Sequence, residues 1–199
     1  MQEKIVIVGG VAGGATAAAR ARRLNEQAEI VLFERGEYIS FANCGLPYYI
    51  GGTIEDREDL LVTTEEEFKK RYRIDVRCLS EVEKVDRECR TVTVVKHPTG
   101  EIYQETYDKL ILAPGAAPFR PKVIGIDNEK VFTLRTLADA DAIKSYINQK
   151  RPVSAVVVGG GFIGLEMVEN LEKCGLKVKL IEKQDQILPQ LDYEMAAVV

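Results

Sequence analysis

The sequence has little histidine and little cysteine, with one histidine and four cysteines among 199 residues. The cysteines, at positions 44, 78, 89 and 174, have no regular spacing and do not predict a disulfide framework. A reducing cytoplasm is therefore the simplest expected location. The single histidine, His97, falls in a predicted turn, so neither a histidine base nor a metal site is expected.

Long hydrophobic runs and a strong charge of either sign are also lacking. No apolar run reaches the roughly 20 residues that a membrane-spanning helix needs, and the N-terminus leads into a strand without a secretory pattern. The net charge of -4 argues against nucleic acid, which usually meets a basic surface. With 46% hydrophobic residues, the chain can form the core of one or two globular domains.

The sequence does contain a glycine-rich turn between a predicted strand and a predicted helix, and this unit occurs twice. In the second copy, Gly159, Gly161 and Gly164 follow the pattern Gly-x-Gly-x-x-Gly. They permit a tight turn, let the backbone approach a pyrophosphate, and let the helix pack on the strand. Glu182 ends the next strand, where an acid bonds a ribose 2′-hydroxyl, so NADH is favoured over NADPH. The adjacent Lys183 weakens that preference.

The first copy departs from the pattern at one position. Gly9, Gly13 and Gly14 are present, but Val11 stands where the second glycine is expected. Glu34 ends the next strand, as a ribose ligand should. The substitution changes the expected contact with the pyrophosphate but leaves the nucleotide-binding prediction in place.

The two units predict an α/β protein with two Rossmann-like parts, and a domain boundary near residue 150. Short strands on both sides of a turn at residues 97–100 predict a small β-meander within the first part. In the second part, two strands and one helix are too few to cover both faces of a parallel sheet. We therefore expect residues 151–199 to form only the start of a second domain.

The most informative residue is Cys44, in the run Ser-Phe-Ala-Asn-Cys-Gly-Leu-Pro-Tyr-Tyr at residues 40–49. This segment is predicted to be a structured loop. No second thiol lies within a few residues, so Cys44 must exchange with an external sulfur or cycle through a sulfenic acid. Asn43 and the Gly45 amide are the expected donors that lower its pKa. The other three cysteines are expected to be inert.

These residues resemble the pyridine nucleotide-disulfide oxidoreductases. The two glycine-rich units carry the resemblance, together with the motif Ala-Pro-Gly-Ala at residues 113–116. The Cys44 run and the opening Gly-Gly-Val-Ala-Gly-Gly at residues 9–14 are similar to one branch, the coenzyme A-disulfide reductases. That branch includes forms with a C-terminal rhodanese domain that act on CoA persulfides and polysulfides.

The resemblance implies FAD in domain 1–150 and NADH, with NADPH as the alternative, in domain 151–199. It implies reduction of CoA disulfide or CoA persulfide through Cys44, in a cytoplasmic homodimer without nucleic acid or membrane partners. The implied cofactor-binding residues are Gly9, Val11, Ala12, Gly13, Glu34, Arg35, Ala113, Pro114 and Gly115 for FAD, and Gly159, Gly161, Phe162, Ile163, Gly164, Glu182 and Lys183 for the nicotinamide nucleotide.

A cluster of arginines on the first predicted helix is a candidate CoA site. Arg20 and Arg23 are three residues apart and share a face, where they either meet phosphates or form a solvated surface. The resemblance implies CoA contacts at Thr16, Arg20, Arg23, Ser40 and Asn43.

Two alternative functions stay open. An NADH oxidase or peroxidase would use Cys44 as a sulfenic acid, although such relatives more usually have Ser-Cys-Gly than Asn-Cys-Gly-Leu-Pro. The chain also resembles only part of such an enzyme and stops inside an apparent helix at residues 196–199. It is therefore also interpreted as a nucleotide-binding fragment without turnover.

Overall fold

The structure is a computed structural model that describes residues 2–199. Its internal contacts define two units: residues 2–41 with Leu61–Ala116, and Ala42–Leu60 with Ala117–Val199. The predicted boundary between cofactor domains at residue 150 is a separate division and stays a prediction. Among residues 2–199, no helix has the length and apolar character to cross a membrane.

Two β-α-β successions and a small meander occur in the order that the sequence predicts, and a short helix at Leu46–Ile50 is added to them. In chain order the elements are β1 (Lys4–Val8), α1 (Gly13–Leu24), β2 (Glu29–Phe33), α2 (Leu46–Ile50), α3 (Glu65–Tyr72), β3 (Asp75–Arg77), β4 (Ser80–Asp86), β5 (Thr91–Lys96), β6 (Glu101–Thr106), β7 (Lys109–Leu112), α4 (Leu137–Lys150), β8 (Ser154–Val158), α5 (Phe162–Lys173), β9 (Lys177–Ile181) and α6 (Tyr193–Ala196).

The first unit is built on a parallel four-stranded sheet with the order β3-β2-β1-β7. Successive residues of β1 point to opposite faces, as strand geometry requires. Ile5 and Ile7 pack with α1 and α3 residues, including Ala18 and Phe68, on one face. On the other face, Val6 packs with residues of the antiparallel meander β4-β5-β6. The strands are therefore buried on both sides, which explains their continuous apolar runs.

Arg22 on α1 is buried, with 8% of its surface exposed, and its guanidinium joins two helix ends. It donates to the backbone carbonyls of Tyr72 and Arg73 at the end of α3, both at 2.8 Å. It also donates to three carbonyls within residues 25–28, just after α1, at 2.7–3.3 Å. Carbonyls at the ends of helices lack intrahelical donors, so Arg22 supplies donors where α1 and α3 end.

We expect Arg22→Lys to lower the free energy of unfolding by about 2 kcal/mol, because a compact ammonium cannot reach both groups of carbonyls. Urea unfolding should show an earlier midpoint with the same slope. Arg87→Lys, an exposed change in the same unit, is the matched control and should leave the midpoint within experimental error. Equal midpoints for the two variants would contradict this role for Arg22.

The second unit contains the predicted βαβ arrangement. Strands β8 and β9 pair in parallel and are connected through α5. Val156, Val158 and Ile181 are exposed on one face of this two-stranded sheet. This agrees with the expectation that two strands and one helix leave part of the sheet uncovered.

The segment after β2 differs from its prediction as a loop. Residues Asn43–Gly45 form a 3-10 turn, and α2 follows directly from Leu46. Pro47 lies in the first turn of α2, where its fixed φ suits a helix and its missing N–H costs nothing. Proline and glycine in the sequence suggested irregular backbone, whereas here they start and end a short helix.

Candidate dinucleotide sites and the Cys44 loop

The second glycine-rich turn has the geometry that its spacing predicts. Gly159 has a φ of +111°, which a side chain would strain. A Cβ on Gly164 would lie 1.9 Å from the Gly159 carbonyl oxygen, so the helix packs on the turn only with glycine there. A Cβ on Gly161 would meet nothing within 4 Å, so the backbone here is open to a ligand. Helix α5 starts at this point without an acidic side chain in its first turn.

Glu182 is held in place at the end of β9 by backbone amides. Its Oε2 accepts from the Gly160 N–H at 2.6 Å, and its Oε1 accepts from the N–H groups of Lys183 and Gln184 at 2.6 and 2.8 Å. These hydrogen bonds, with that from Gln184 the strongest influence, lower the pKa of Glu182. The carboxylate is therefore ionised and oriented at neutral pH.

The first turn repeats this design despite Val11. A Cβ on Gly9, which has a φ of +96°, would lie 2.0 Å from the Ala113 carbonyl oxygen. A Cβ on Gly14 would lie 1.7 Å from the Gly9 carbonyl oxygen. Both glycines are therefore required for close packing, and the turn lies against the end of β7. Val11 is half-buried and occupies a position at which the second copy leaves open backbone.

Glu34 corresponds to Glu182 in its contacts as well as in its position. It is buried, and its Oε2 accepts from the Gly10 N–H at 2.7 Å while Oε1 accepts from the Gly36 N–H at 2.8 Å. The neighbouring Arg35 extends into solvent, 3.9 Å from a carboxylate oxygen of Glu81. Each unit thus presents an oriented acid beside its glycine turn, followed by a basic residue.

A further pair of contacts extends the repeat beyond the acid. Ser40 donates its N–H to the Gly10 carbonyl at 3.1 Å, and Leu188 donates to the Gly160 carbonyl at 2.7 Å. Ser40 and Leu188 also share a left-handed backbone, with φ values of 49° and 48°. Gly10 and Gly160, which directly follow the first glycine of each turn, are therefore held at both their N–H and their carbonyl groups.

The sequence similarity of the two units also continues past the acid, beyond the predicted repeat. Ile39 and Ile187 each follow their acid, Glu34 or Glu182, by five residues. A Cβ on Gly10 would lie 2.8 Å from Ile39 Cγ2, and a Cβ on Gly160 would lie 3.1 Å from Ile187 Cγ2. The shared pattern Glu-basic-x-acid-x-Ile was the signal that could have revealed it.

Cys44 is an exposed thiol in the 3-10 turn that precedes α2. The turn is held by hydrogen bonds from Ala42 N–H to the Leu60 carbonyl and from Gly45 N–H to the Ala42 carbonyl, at 2.8 and 2.9 Å. The prediction that the Gly45 amide is a donor for the thiol is therefore wrong, because this amide is already paired within the turn. Asn43 remains the candidate donor, and its buried Oδ1 has no hydrogen-bond partner among residues 2–199.

The remaining cysteines differ from Cys44 in their surroundings. Burial raises the pKa of Cys78 to about 12, and hydrogen bonding to Glu65 adds to this effect. Burial also raises the pKa of Cys174, whose Sγ lies 3.5 Å from the Ile50 carbonyl oxygen. These two thiols are poor nucleophiles at neutral pH. Cys89 is exposed in a turn of the meander.

The candidate CoA residues of the first unit are Thr16, Arg20 and Arg23 on α1, and Ser40 after β2. The three α1 residues are exposed and follow a spacing of four and three, so they share one face. Arg20 and Arg23 have no hydrogen-bond or ion-pair partner among residues 2–199, and both are free to meet phosphates. Ser40 is half-buried, with its amide committed to Gly10.

The residues present fit two dinucleotides. Helices α1 and α5 both begin without an acidic side chain in the first turn, so each helix N-terminus is favourable to phosphate. In each unit a carboxylate, Glu34 or Glu182, is fixed next to the turn, where a ribose hydroxyl can donate to it.

A two-unit Rossmann fold with these turns defines a class of oxidoreductase. Residues 3–199 match the family model of the pyridine nucleotide-disulphide oxidoreductases, and the chain belongs to this family. The predicted fold class and the predicted resemblance are both confirmed.

Individual relatives narrow the resemblance to one branch. The chain is 44% identical to a coenzyme A disulfide reductase of Staphylococcus haemolyticus over 98% of this chain and 44% of that protein. The crystal structure of reduced Bacillus anthracis CoADR-RHD matches with a TM-score of 0.96 and 56% identity, over 100% of this chain and 36% of that one. A NAD-dependent persulfide reductase from A. fulgidus matches with a TM-score of 0.92 and 38% identity, over 98% of this chain and 37% of that one. The chain thus spans less than half the length of each.

Proposed function

We propose that this chain carries the nucleotide-binding and thiol-bearing part of an FAD- and NADH-dependent reductase of CoA disulfide or CoA persulfide. The observation that carries the proposal is Cys44, an exposed thiol in the turn that leads into α2, whereas Cys78 and Cys174 are partly buried with raised pKa values and Cys89 lies in a turn of the meander. The similarity to a coenzyme A disulfide reductase and to a persulfide reductase supports the choice of substrate. A cytoplasmic homodimer is the form that we expect, and light scattering of the purified protein would test the dimer.

Each of the two units would bind one of the two cofactors. The turns at Gly9 and Gly159 would receive the pyrophosphates of FAD and NADH at the N-termini of α1 and α5, with Glu34 and Glu182 accepting from the ribose hydroxyls. When bound, FAD supplies the two-electron chemistry that links NADH oxidation to the reduction of a disulfide. Glu182 makes NADH the favoured reductant, because its fixed negative charge repels a 2′-phosphate.

The chemical step of this chain is thiol–disulfide exchange at Cys44. Its thiolate attacks one sulfur of CoA disulfide, the S–S bond breaks, and the second CoA leaves as a thiolate. Cys44 is left in a mixed disulfide with the first CoA. Attack on the inner sulfur of a CoA persulfide gives the same mixed disulfide and releases hydrosulfide. Asn43, adjacent to Cys44 in the chain, is the side chain that would orient the attacking or leaving sulfur.

An acceptor comparison tests the proposal. NADH oxidation by the FAD-loaded protein is measured with CoA disulfide, CoA persulfide, oxygen and hydrogen peroxide in parallel. We expect turnover with one or both CoA substrates and little with the others. Faster turnover with oxygen or peroxide would favour an oxidase or peroxidase that uses a Cys44 sulfenic acid. Bound FAD with no turnover on any acceptor would favour a nucleotide-binding fragment.

The exposed α1 arginines give a prediction about substrate recognition. We expect Arg23→Ala to raise the KM for CoA disulfide about tenfold, since a charge-assisted phosphate contact contributes about 1–2 kcal/mol. The double variant with Arg20→Ala should raise it further, and the effect should shrink at high salt. The KM of a small persulfide without a nucleotide should change little, because the arginines act on the phosphates and not on the sulfur.

Initial rates at several salt concentrations measure this effect. Arg87→Ala, an exposed arginine in a turn of the meander, is the control. An equal loss of activity with CoA and non-CoA substrates would indicate that these arginines act on the folding of α1. Unchanged KM values for both kinds of substrate would indicate that Arg20 and Arg23 form only a solvated surface.

A further inference from the structure

The short helix α2, which begins two residues after Cys44, is attached to two longer helices of its own unit, α4 and α5. A five-residue helix is too short to be stable by its own hydrogen bonds. Its position, and that of the turn before it, therefore depends on these attachments.

The attachment to α4 is polar and centres on Tyr49. The Tyr49 hydroxyl donates to Asp141 Oδ1 at 3.2 Å, and Arg57 Nε donates to Asp141 Oδ2 at 2.8 Å. Lys144 donates its Nζ–H to the Tyr49 carbonyl at 2.8 Å and lies 3.7 Å from the centroid of the Tyr49 ring. One lysine on α4 thus holds both the backbone and the ring of one α2 residue.

Each charged group of this polar cluster has a partner within it. Burial and the Asp141 carboxylate raise the pKa of Tyr49, so the phenol stays neutral and keeps the proton that it donates. Asp141 is shared by Tyr49 and Arg57, while Lys144 uses a carbonyl and a ring face. Lys144 is partly buried, so its attraction to the ring is less weakened by water than at an open surface.

The attachment to α5 depends on close packing. A Cβ on Gly51, the residue that ends α2, would lie 2.2 Å from the Oδ1 atom of Asn170. Asn170 is fully buried, and its Nδ2 donates to the Glu166 carbonyl at 2.8 Å. The C-terminal end of α2 is therefore pressed against α5, and the cluster around Tyr49 fixes the middle of the same helix.

We propose that Lys144, together with Tyr49 and Asp141, is a positioning residue for the Cys44 thiol. The inference rests on the proposed function of Cys44 and extends it to residues that do not touch the reacting sulfur. Thiol–disulfide exchange requires three sulfur atoms in line, so a small displacement of the turn before α2 lowers the rate of exchange. Binding of FAD and NADH depends on other residues and is unaffected.

The test replaces Lys144 by methionine, which retains much of the side-chain volume, and by arginine, which retains the charge. In the FAD-loaded protein, Lys144→Met should lower kcat with CoA disulfide about tenfold, as expected for a misplaced reacting group. The NADH-dependent reduction of an artificial dye, which needs no thiol, should not change. Lys144→Arg should restore most of the rate, and Lys150→Met, an exposed lysine at the end of the same helix, is the matched control.

Hydrogen exchange measured by mass spectrometry gives a readout that does not depend on turnover. The amides of residues 51–54, which donate to carbonyls of α2, should exchange faster in Lys144→Met than in the wild type or in Lys150→Met. If Lys144→Met loses FAD, Tyr49→Phe, which removes a single hydroxyl, replaces it in both measurements.

Three outcomes would overturn the inference: equal losses of the dye and CoA-disulfide activities, unchanged exchange at residues 51–54, or unchanged kcat while Cys44→Ser is inactive. Full activity of Cys44→Ser would instead reject the proposed function itself. The two failures are therefore distinguishable.

Discussion

Replacing Cys44 by serine is expected to reduce NADH-dependent turnover of CoA disulfide to background while FAD stays bound. A serine hydroxyl cannot exchange with a disulfide. Cys78 and Cys174 are partly buried, and burial raises the pKa of each. The glycine turn and Glu34 are unaltered by the change, so flavin absorbance of the purified variant should equal that of the wild type.

Cys89→Ser is the matched control, because Cys89 is the other exposed cysteine and lies in the meander of the first unit. It should keep full turnover. Incubation with CoA disulfide alone should add one CoA to the wild type and to Cys89→Ser but none to Cys44→Ser, as intact mass would show. Undiminished turnover in Cys44→Ser would remove this thiol from the mechanism.

Replacing Glu182 by arginine is expected to shift cofactor preference from NADH toward NADPH. In the wild type the carboxylate, which is ionised at neutral pH, is fixed by three amides whose hydrogen bonds lower its pKa. It can accept from a 2′-hydroxyl but repels a 2′-phosphate. Removing the repulsion and adding an ion pair is worth about 3 kcal/mol, which is roughly a hundredfold in the ratio of kcat/KM values.

Glu172→Arg makes the same charge change at an exposed position of α5 and should leave the ratio unaltered. Glu182→Gln separates the two causes, because it removes the repulsion without adding a cation. An unchanged ratio in Glu182→Arg would show that this side chain does not face the ribose.

Much of the fold could be predicted because local chemistry decides it. Strand β2 follows from the apolar run that begins at Ile30, and strand β9 follows from the alternation of lysine and apolar residues from Lys177 to Leu180. The start of α3 follows from Thr64 and Glu67, which form a capping box. The packing roles of Gly14 and Gly164 follow from their spacing alone.

The remainder depends on partners that are distant in the sequence. Arg20, Arg22 and Arg23 are the same residue type on one helix, so the sequence does not tell them apart. Of the three, Arg22 alone is buried, because it lies on the side of α1 that contacts the end of α3. Those partner carbonyls, at residues 72 and 73, are about fifty positions away, and no periodicity indicates them. The cluster around Tyr49 and Lys144 was missed for the same reason.

The residues of the candidate site could be predicted from the sequence better than the hydrogen bonds between them. Sequence reasoning placed Glu34 and Glu182 correctly at strand ends, but it could not show that backbone amides hold both carboxylates. It assigned the Gly45 amide to the thiol, whereas the turn uses that amide internally. Backbone donors are present at every residue, so only coordinates show which of them are still available.

The sheet order of the first unit has a consequence for how the protein folds during synthesis. The central strand β1 is made first, but its second neighbour, β7, is made about a hundred residues later. The segment β1-α1-β2 therefore emerges with one edge of β1 unpaired, and with the Arg22 guanidinium still lacking the carbonyls of α3. Closing so long a loop is slow, so this unit becomes stable only after the meander and β7 have been translated.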